Sequence, residues 1–289
     1  MFYSKHLIVM ICYARSGGTL LNKLIASDSR FLALSEINPL GHGRSADGPL
    51  DLSQQAKNWY AVDIPKDLDF VQSVHFLEQW CRENNKRLFI RDWTYVNFSP
   101  DRKNNFTPSK ELSLIRTLKN ANIEFFAFAY VRNPIDVWLS RNLHEGTPRE
   151  LLEFTESVRN EKLEIFRYED LCRSPENFLR ELYGFFQMEP HSNWENFSNE
   201  QRVSGDNQND PFGSRGAKTR KVTKLERKTI SYRKIKTLQT NKDLKKICQL
   251  LGYNNDYFDA EHYKLNLKER LKAELQEIFI LLKKLARRK

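Results

Sequence analysis

The N-terminal part of the chain contains an apolar run that ends in a glycine-rich turn and is followed by a helical pattern. The run extends from Leu7 to Cys12, and the turn reads Tyr-Ala-Arg-Ser-Gly-Gly-Thr from Tyr13 to Thr19. The next segment, up to Ala26, has leucine and isoleucine at helical spacing. A strand that is apolar along its whole length is typical of a parallel sheet buried on both faces. The chain is therefore predicted to begin with a strand, a glycine loop and a helix.

Further apolar runs alternate with helical patterns along the chain. The predicted strands after the first are Phe31 to Ser35, Arg87 to Ile90, Glu124 to Val131 and Lys162 to Phe166. The stretch from Leu50 to Asn85 is mainly helical in pattern, and Pro134 is suited to a first helical turn. This alternation predicts an α/β fold with a central parallel, doubly wound sheet flanked by helices.

The length of 289 residues is enough for one large α/β domain, predicted at residues 1–257, with a basic amphipathic helix at residues 258–289. From Arg215 to Lys289 there are 22 Lys and Arg against 8 Asp and Glu, a net charge of +14, whereas the remainder has 25 against 29. The final helix, about Lys264 to Arg288, carries leucines at spacings of three and four. It could pack on the core, pair two chains or lie on anionic lipid.

No apolar run approaches the length of a membrane span, and no signal-peptide cleavage pattern follows the first strand. A cytoplasmic location is therefore expected. The cysteines Cys12, Cys81, Cys172 and Cys248 lie far apart and form no metal-spaced set with the histidines. They are predicted to be free thiols, mostly buried.

The turn after the first strand is predicted to bind an anion. Carboxyl ends of strands are where α/β sheets bind ligands, and the N–H groups of a helix N-terminus favour negative charge. Arg15 supplies a positive charge, Thr19 a hydroxyl, and the glycines allow close approach of the backbone. The predicted binding residues are Arg15, Ser16, Gly17, Gly18, Thr19 and Leu20.

This turn lacks the lysine that a nucleoside triphosphate would require. In the motif G-x-x-x-x-G-K-[ST] a lysine reaches the β and γ phosphates, but Gly18 stands at that position. A P-loop kinase or other nucleotide phosphotransferase is the alternative prediction, and the missing lysine counts against it. A third possibility, a nucleic-acid or membrane-surface binder, depends on the basic C-terminal part.

The turn resembles the 5′-phosphosulfate loop of sulfotransferases that use 3′-phosphoadenylyl sulfate (PAPS), which commonly reads P-[KR]-S-G-T-T. Ala14 replaces the proline and Gly18 the first threonine. In this family an arginine at a strand end and a serine eight positions later hold the 3′-phosphate of PAPS. Arg132 and Ser140, in VRNPIDVWLS, match that arrangement. The resemblance implies a P-loop-like sulfotransferase fold, closest in motif style to bacterial and tyrosylprotein sulfotransferases.

Two other segments resemble the family. The loop from Ser204 to Lys221 could cover the nucleotide, with Arg215 or Lys218 reaching the phosphate. The segment Arg167 to Phe186 resembles the strand and helix after the 3′-phosphate site and is interpreted as scaffold.

The resemblance also suggests catalytic residues. Glu36 follows the second strand in LALSEINPL, which is similar to the segment that supplies the catalytic glutamate in tyrosylprotein and several bacterial sulfotransferases. Glu36 is therefore the candidate base, with His42 and His75 as rivals. Arg91, in FIRDW, matches a lysine that stabilises the transferring group, although a structural pairing with Asp92 is equally plausible. Arg15 is expected to add to charge stabilisation.

The expected reaction moves a sulfuryl group from PAPS to a hydroxyl or amine and leaves adenosine 3′,5′-bisphosphate (PAP). No metal is implied, because protein groups would hold the product and the sequence offers no carboxylate set for Mg²⁺. The expected acceptor is a saccharide, a lipid-linked molecule or a small metabolite. The predicted partners include a second copy or a membrane surface at the C-terminal helix, but no nucleic acid.

Overall fold

A computed structural model describes residues 7–41, 51–99, 108–200, 202, 221–225 and 232–253, together with 271, 274–275 and 278–279. Three predicted site residues, His42, Arg215 and Lys218, lie outside the described residues, as does the predicted domain boundary between residues 257 and 258. That division into domains stays a prediction.

Five parallel strands form one sheet in the order β2-β3-β1-β4-β5. The strands are β1 Leu7–Ile11, β2 Phe31–Ile37, β3 Arg87–Asp92, β4 Phe125–Val131 and β5 Glu164–Arg167. Every residue of β1 is fully buried, as expected for a central strand covered on both faces. The predicted α/β class with a central parallel sheet is confirmed.

Helices flank and connect these strands. The helices are α1 Gly18–Ala26, α2 Leu52–Tyr60, α3 Phe70–Glu83, α4 Tyr95–Phe98, α5 Ser113–Asn120, α6 Pro134–Ser140, α7 Thr147–Asn160, α8 Tyr168–Arg173, α9 Pro175–Phe185, α10 Tyr232–Thr240 and α11 Lys242–Leu251. Short 3₁₀ helices occupy Pro39–Gly41 and Trp194–Asn199. The described parts of the chain contain no helix long and apolar enough to cross a membrane.

The predicted helical stretch after Leu50 forms two helices, because each has its own start signal. Asp51 caps α2 and Asp69 caps α3, and in both cases a glutamine at the third helical position completes a capping box. Ala61, in the left-handed conformation, ends α2. Local capping chemistry therefore separates the two helices.

The chain divides into two compact units. The first comprises Met1–Arg132 and Glu156–Lys224, and the second comprises Asn133–Thr155 and Leu225–Lys289. In the first unit, α1 and α9 pack on the sheet around Phe31, whose ring makes edge contacts with Phe89, Tyr183 and Phe186. In the second unit, apolar residues of α6, α10 and α11 form a smaller core. The four cysteines are free thiols, and three of them are buried.

The central strand should tolerate little loss of volume. Ile8 is fully buried in β1. Ile8→Ala should lower the free energy of unfolding by about 2–5 kcal/mol, and the matched Ile8→Val, which removes one methyl group, by about 0.5–1.5 kcal/mol. Urea unfolding would measure both values. Equal, small losses would contradict the described packing of β1.

Candidate active site

Several of the predicted site residues in the first unit lie at one edge of the sheet. Because the five strands are parallel, their carboxyl ends lie at the same edge. The glycine loop follows β1, Arg132 follows β4, and Tyr168 follows β5. Glu36 and Arg91 lie within the last residues of β2 and β3, rather than after them as the sequence predicted.

The loop after β1 is a tight turn that leads directly into α1. Arg15 and Gly17 have left-handed backbone conformations, with φ of 72° and 84°. The Ser16 N–H donates to the Tyr13 carbonyl at 3.2 Å, and Gly17 is the N-cap of α1. The first turn of α1 contains no acidic residue. The positive end of the helix is therefore not neutralised by an acidic side chain of its own first turn.

Both glycines of the loop are required by packing. A Cβ atom on Gly17 would lie 2.5 Å from Cδ2 of Tyr168, and one on Gly18 would lie 2.5 Å from Sγ of Cys12. The sequence predicts that Tyr168 is part of the scaffold, and in the structure its ring forms one wall of the loop. Its position directly after β5, in a parallel sheet, is the signal that could have placed it here.

Arg91 brings a buried positive charge to the loop from a neighbouring strand. One Nη atom pairs with the Glu36 carboxylate, and the other donates to the Thr19 hydroxyl at 3.3 Å. Nε lies 3.5 Å from the Cβ position of Gly18 and has no hydrogen-bond partner among the described residues. Arg91 of β3 therefore lies beside Gly18, the position that a lysine occupies in a P-loop.

Arg91 does not pair with Asp92, so that alternative is wrong. The Asp92 carboxylate accepts a hydrogen bond from the Asn38 amide at 2.7 Å. Successive side chains of a strand point to opposite faces, and this separates the two neighbours. Burial raises the pKa of Asp92 to about 7, while hydrogen bonds from Asn38 and the Trp93 N–H oppose the rise.

Glu36 combines an unusual backbone with a partly accessible carboxylate. Its φ is 59°, and the register of β2 against β3 shifts between Ser35 and Ile37. The Glu36 side chain is 13% exposed and that of Arg91 is 7% exposed. The rival base His75 is exposed on α3. A carboxylate, a guanidinium and a hydroxyl, from Glu36, Arg91 and Thr19, therefore form one cluster beside the loop.

A second buried arginine lies on the other side of the loop. Arg132 donates from Nη1 to the Arg15 carbonyl at 3.4 Å, and its guanidinium lies 4.8 Å from the ring centroid of Tyr168. Its Nε has no partner among the described residues. Within the first unit, the loop thus has cations on two sides. Ser140 ends α6 in the second unit, and its predicted phosphate contact stays a prediction.

The segment 221–225 returns to this edge of the sheet. The Tyr168 hydroxyl donates to the Thr223 carbonyl at 3.2 Å, and Val222 packs against the core. Lys224 is close enough to Cys172 to lower the pKa of that thiol, which burial raises. The sequence placed its third cationic element earlier, in the loop Ser204 to Lys221, so Lys224 is an additional candidate.

Beside the loop, the cluster combines the Glu36 carboxylate and the Arg91 guanidinium with a buried thiol, that of Cys12. Burial raises the pKa of the Cys12 thiol to about 11, with Arg91 opposing the rise, so Cys12 is neutral at physiological pH. Among the described residues, no group of three or more His, Cys, Asp or Glu is placed to hold a metal ion. The arrangement places a carboxylate that could accept a proton beside a guanidinium that could bind an anion.

The comparisons with known proteins show the fold. No protein-family model matches the sequence, and a search of curated proteins finds no match. The structure is similar to the sulfotransferase domain from the curacin biosynthetic pathway, with a TM-score of 0.53 at 16% identity over 86% of this chain and 98% of that chain. This likeness shows that the chain has the fold of a sulfotransferase domain.

Two other solved structures are similar at lower scores. The sulfotransferase domain from the Synechococcus PCC 7002 olefin synthase has a TM-score of 0.48 at 15% identity, over 88% of this chain and 97% of that chain. Mouse sulfotransferase SULT7A1 complexed with PAP has a TM-score of 0.39 at 13% identity, over 93% and 88%. Both scores are below 0.5, so these likenesses carry no argument.

A methyl group at Gly18 should disturb the loop through Cys12. Gly18→Ala should lower the free energy of unfolding by roughly 1–3 kcal/mol because the new Cβ collides with Sγ. Adding Cys12→Ala should recover most of that loss, since it removes the obstacle. Gly184→Ala is the matched control, because nothing lies within 4 Å of its Cβ position in α9. Thermal unfolding of these three variants and of the single Cys12→Ala variant would complete the cycle, and additive losses of Gly18→Ala and Cys12→Ala would contradict the contact.

Asp92 should make stability depend on pH. Its pKa is about 7 in the folded chain and about 3.9 when unfolded. Protonation of Asp92 therefore stabilises the folded chain fully at a pH below the unfolded pKa. This contribution is lost as the pH rises through the folded pKa. Asp92→Asn imitates the neutral acid, so its stability relative to the parent chain should rise by roughly 1 kcal/mol per pH unit between these values.

Urea unfolding across this pH range would measure the difference, with Asp63→Asn as an exposed control. Asp63 has a side chain that is 75% exposed, so Asp63→Asn controls for the substitution at a surface position. A flat difference between Asp92→Asn and the parent across this pH range would show that the buried carboxyl does not hold its proton.

Proposed function

We propose that this chain, which has the fold of a sulfotransferase domain, transfers a sulfuryl group from PAPS to a hydroxyl or amine of an acceptor. The observation that carries the proposal is the cluster of Glu36, Arg91 and Thr19 beside the glycine loop. The cluster joins a base to an anion site, and it uses an arginine from β3 in place of the P-loop lysine. A kinase would require that lysine in the loop.

PAPS carries a phosphosulfate at the 5′ position and a phosphate at the 3′ position of its ribose. The loop from Arg15 to Leu20, with its free helix N-terminus, would hold the 5′-phosphosulfate. Arg132 would hold the 3′-phosphate by charge-assisted hydrogen bonds, and its contact with the Arg15 carbonyl supports a position within reach of the same nucleotide. Ser140 and Arg215 are proposed further ligands, together with Lys224.

The transfer itself is proposed to be an in-line displacement at sulfur. The acceptor oxygen or nitrogen forms a bond to sulfur while the bond from sulfur to the 5′-phosphate oxygen breaks, and PAP leaves with that oxygen. The acceptor proton passes to Glu36. Such transition states are loose, so positioning and charge stabilisation supply most of the rate. Arg91, Arg15 and Thr19 would stabilise the sulfuryl oxygens and the leaving phosphate.

The ion pair between Arg91 and Glu36 would change its role when the donor binds. Sulfuryl oxygens would compete with the Glu36 carboxylate for the Arg91 guanidinium. Glu36 would then be released to accept the acceptor proton. These protein cations supply the positive charge, and we propose no metal ion in this step.

The acceptor class is also a proposal. A saccharide, a lipid-linked molecule or a small metabolite stays the predicted acceptor, and a cytoplasmic location stays predicted. Contact with a second copy or a membrane at residues 258–289 stays a prediction. The described helical positions Leu271, Leu275, Ile278 and Phe279 are exposed apolar residues, which is consistent with such a contact.

Radiolabelled PAPS tested with a panel of saccharides, glycolipids and small alcohols and amines would test the proposal. The chain should transfer label to at least one acceptor class. Glu36→Gln should lower kcat by roughly 100-fold or more, because the base is lost, while PAP affinity stays equal or increases since Arg91 is released. His75→Gln is the matched control and should keep its activity.

The opposite results would separate the alternatives. Full activity of Glu36→Gln would remove Glu36 from the role of base. Loss of activity only in His75→Gln would assign that role to the histidine. Transfer of the terminal phosphate of ATP, with no transfer from PAPS, would instead favour the phosphotransferase.

A further inference from the structure

The outer edge of β2 is covered by side chains of α2. β2 is the edge strand of the described sheet, so the backbone groups that face away from β3 need other partners. The Tyr60 hydroxyl accepts from the Ala33 N–H at 2.8 Å and donates to the Ala33 carbonyl at 3.1 Å. The Gln55 carboxamide accepts from the Ser35 N–H at 2.8 Å and donates to the Ser35 carbonyl at 2.7 Å. Two side chains of α2 thus bind two outward-facing residues of β2.

The two contacts differ in their distance from Glu36. Ser35 directly precedes Glu36, whereas Ala33 is three residues before it. Gln55 is fully buried, and Tyr60 is half-buried. The Gln55 contact therefore fixes the backbone at the point where β2 becomes irregular.

At Glu36 the backbone N–H and C=O groups of β2 change the side to which they point. In a regular strand, Ser35 and Ile37 would point their backbone groups to the same side. Here Ser35 faces α2, but the Ile37 carbonyl accepts from the Trp93 N–H, after β3, at 3.1 Å. The left-handed conformation of Glu36 produces this reversal. A glutamate rarely adopts that conformation unless its surroundings impose it.

The other flank of Glu36 is also fixed. The Asn38 amide donates to Asp92 at 2.7 Å and to the Asn97 side-chain carbonyl at 2.9 Å. With Asn38 and Ser35 both held by buried groups, Glu36 has little freedom to relax into a regular strand. Its carboxylate is thereby directed to Arg91.

We propose that Gln55 is a positioning residue for the transfer reaction, holding Ser35 so that Glu36 keeps the left-handed conformation that presents its carboxylate to Arg91. This inference rests on the proposed function, in which Glu36 takes the acceptor proton. In this proposal Gln55 acts on Glu36 through the backbone of Ser35, which it holds by two hydrogen bonds. Misplacing a catalytic group by about 1 Å can lower the rate by roughly 100-fold.

The contact requires a donor and an acceptor in one planar group. Gln55→Met keeps the length of the side chain and removes both hydrogen bonds, and Gln55→Glu keeps the acceptor alone when ionised. Tyr60→Phe is the matched control, because it removes the same two kinds of hydrogen bond from the same strand edge, farther from Glu36.

The experiment measures kcat, the KM for PAPS, PAP affinity and the melting temperature of the three variants. The reactions are label transfer to the best acceptor of the panel and sulfate release from PAPS to water. Gln55→Met should lower kcat by roughly 10- to 100-fold, with KM for PAPS and PAP affinity within about twofold of the parent. The kcat of Gln55→Glu should lie between that of Gln55→Met and that of the parent. Tyr60→Phe should keep kcat within about twofold even though its melting temperature falls.

Each contrary outcome has a defined meaning. A parent chain that transfers no label contradicts the proposed function. If the parent is active and Gln55→Met has the same kcat, the positioning role alone is contradicted. The same holds if Tyr60→Phe loses kcat in the same proportion to its fall in melting temperature as Gln55→Met does. Deuterium uptake by residues 31–38 gives a readout without activity: Gln55→Met should exchange faster at Ser35 and Ile37, and unchanged uptake would contradict the inference.

Discussion

The buried ion pair between Arg91 and Glu36 is the interaction on which the site depends. Burying two charges is costly, and a pair is retained only where geometry and further hydrogen bonds compensate. Arg91 meets this condition by also binding the Thr19 hydroxyl, so one guanidinium joins the ends of β2 and β3 to the start of α1. Removing either partner would leave an uncompensated charge beside the loop. The pair therefore both joins the elements of the site and keeps the Glu36 carboxylate next to the Arg91 guanidinium.

The rest of the fold keeps these groups in place before any ligand arrives. Tyr168 packs on Gly17, Cys12 packs on Gly18, and Arg132 stacks on Tyr168 while it binds the loop backbone. A pre-formed arrangement of dipoles and charges stabilises developing charge without a cost of reorganisation during the reaction. The parallel sheet makes this possible because it brings the ends of five strands to one edge.

The sequence predicted the parts of the site that are encoded locally. The apolar run before the glycine loop specified β1 and the start of α1, and the strand ending at Val131 placed Arg132 at the correct edge. The choice between Glu36 and Asp92 as the partner of Arg91 could not be made from sequence, because it depends on a bulge in β2 that rotates Glu36 toward β3. A left-handed glutamate has no local signature comparable to that of glycine.

Contacts between residues that are far apart in the sequence could not be predicted from it either. Tyr168 reaches a loop about 150 positions earlier in the chain, and Gln55 binds a strand that ends before α2 begins. Their residue types are ordinary for a strand end and a helix. The sheet order, with β5 and β2 at its two edges, accounts for both contacts. It places the Tyr168 ring beside the glycine loop and the Gln55 carboxamide at the open edge of β2.

The central claim is that two separate positive sites, at the glycine loop and at Arg132, bind one doubly phosphorylated adenosine. Calorimetric titration with PAP, adenosine 5′-phosphate and ATP tests it most directly. The account predicts that PAP binds more tightly than both other nucleotides and that Arg132→Ala removes most of the advantage of PAP over adenosine 5′-phosphate. Tighter binding of ATP, or an Arg132→Ala variant that still prefers PAP to the same degree, would contradict it.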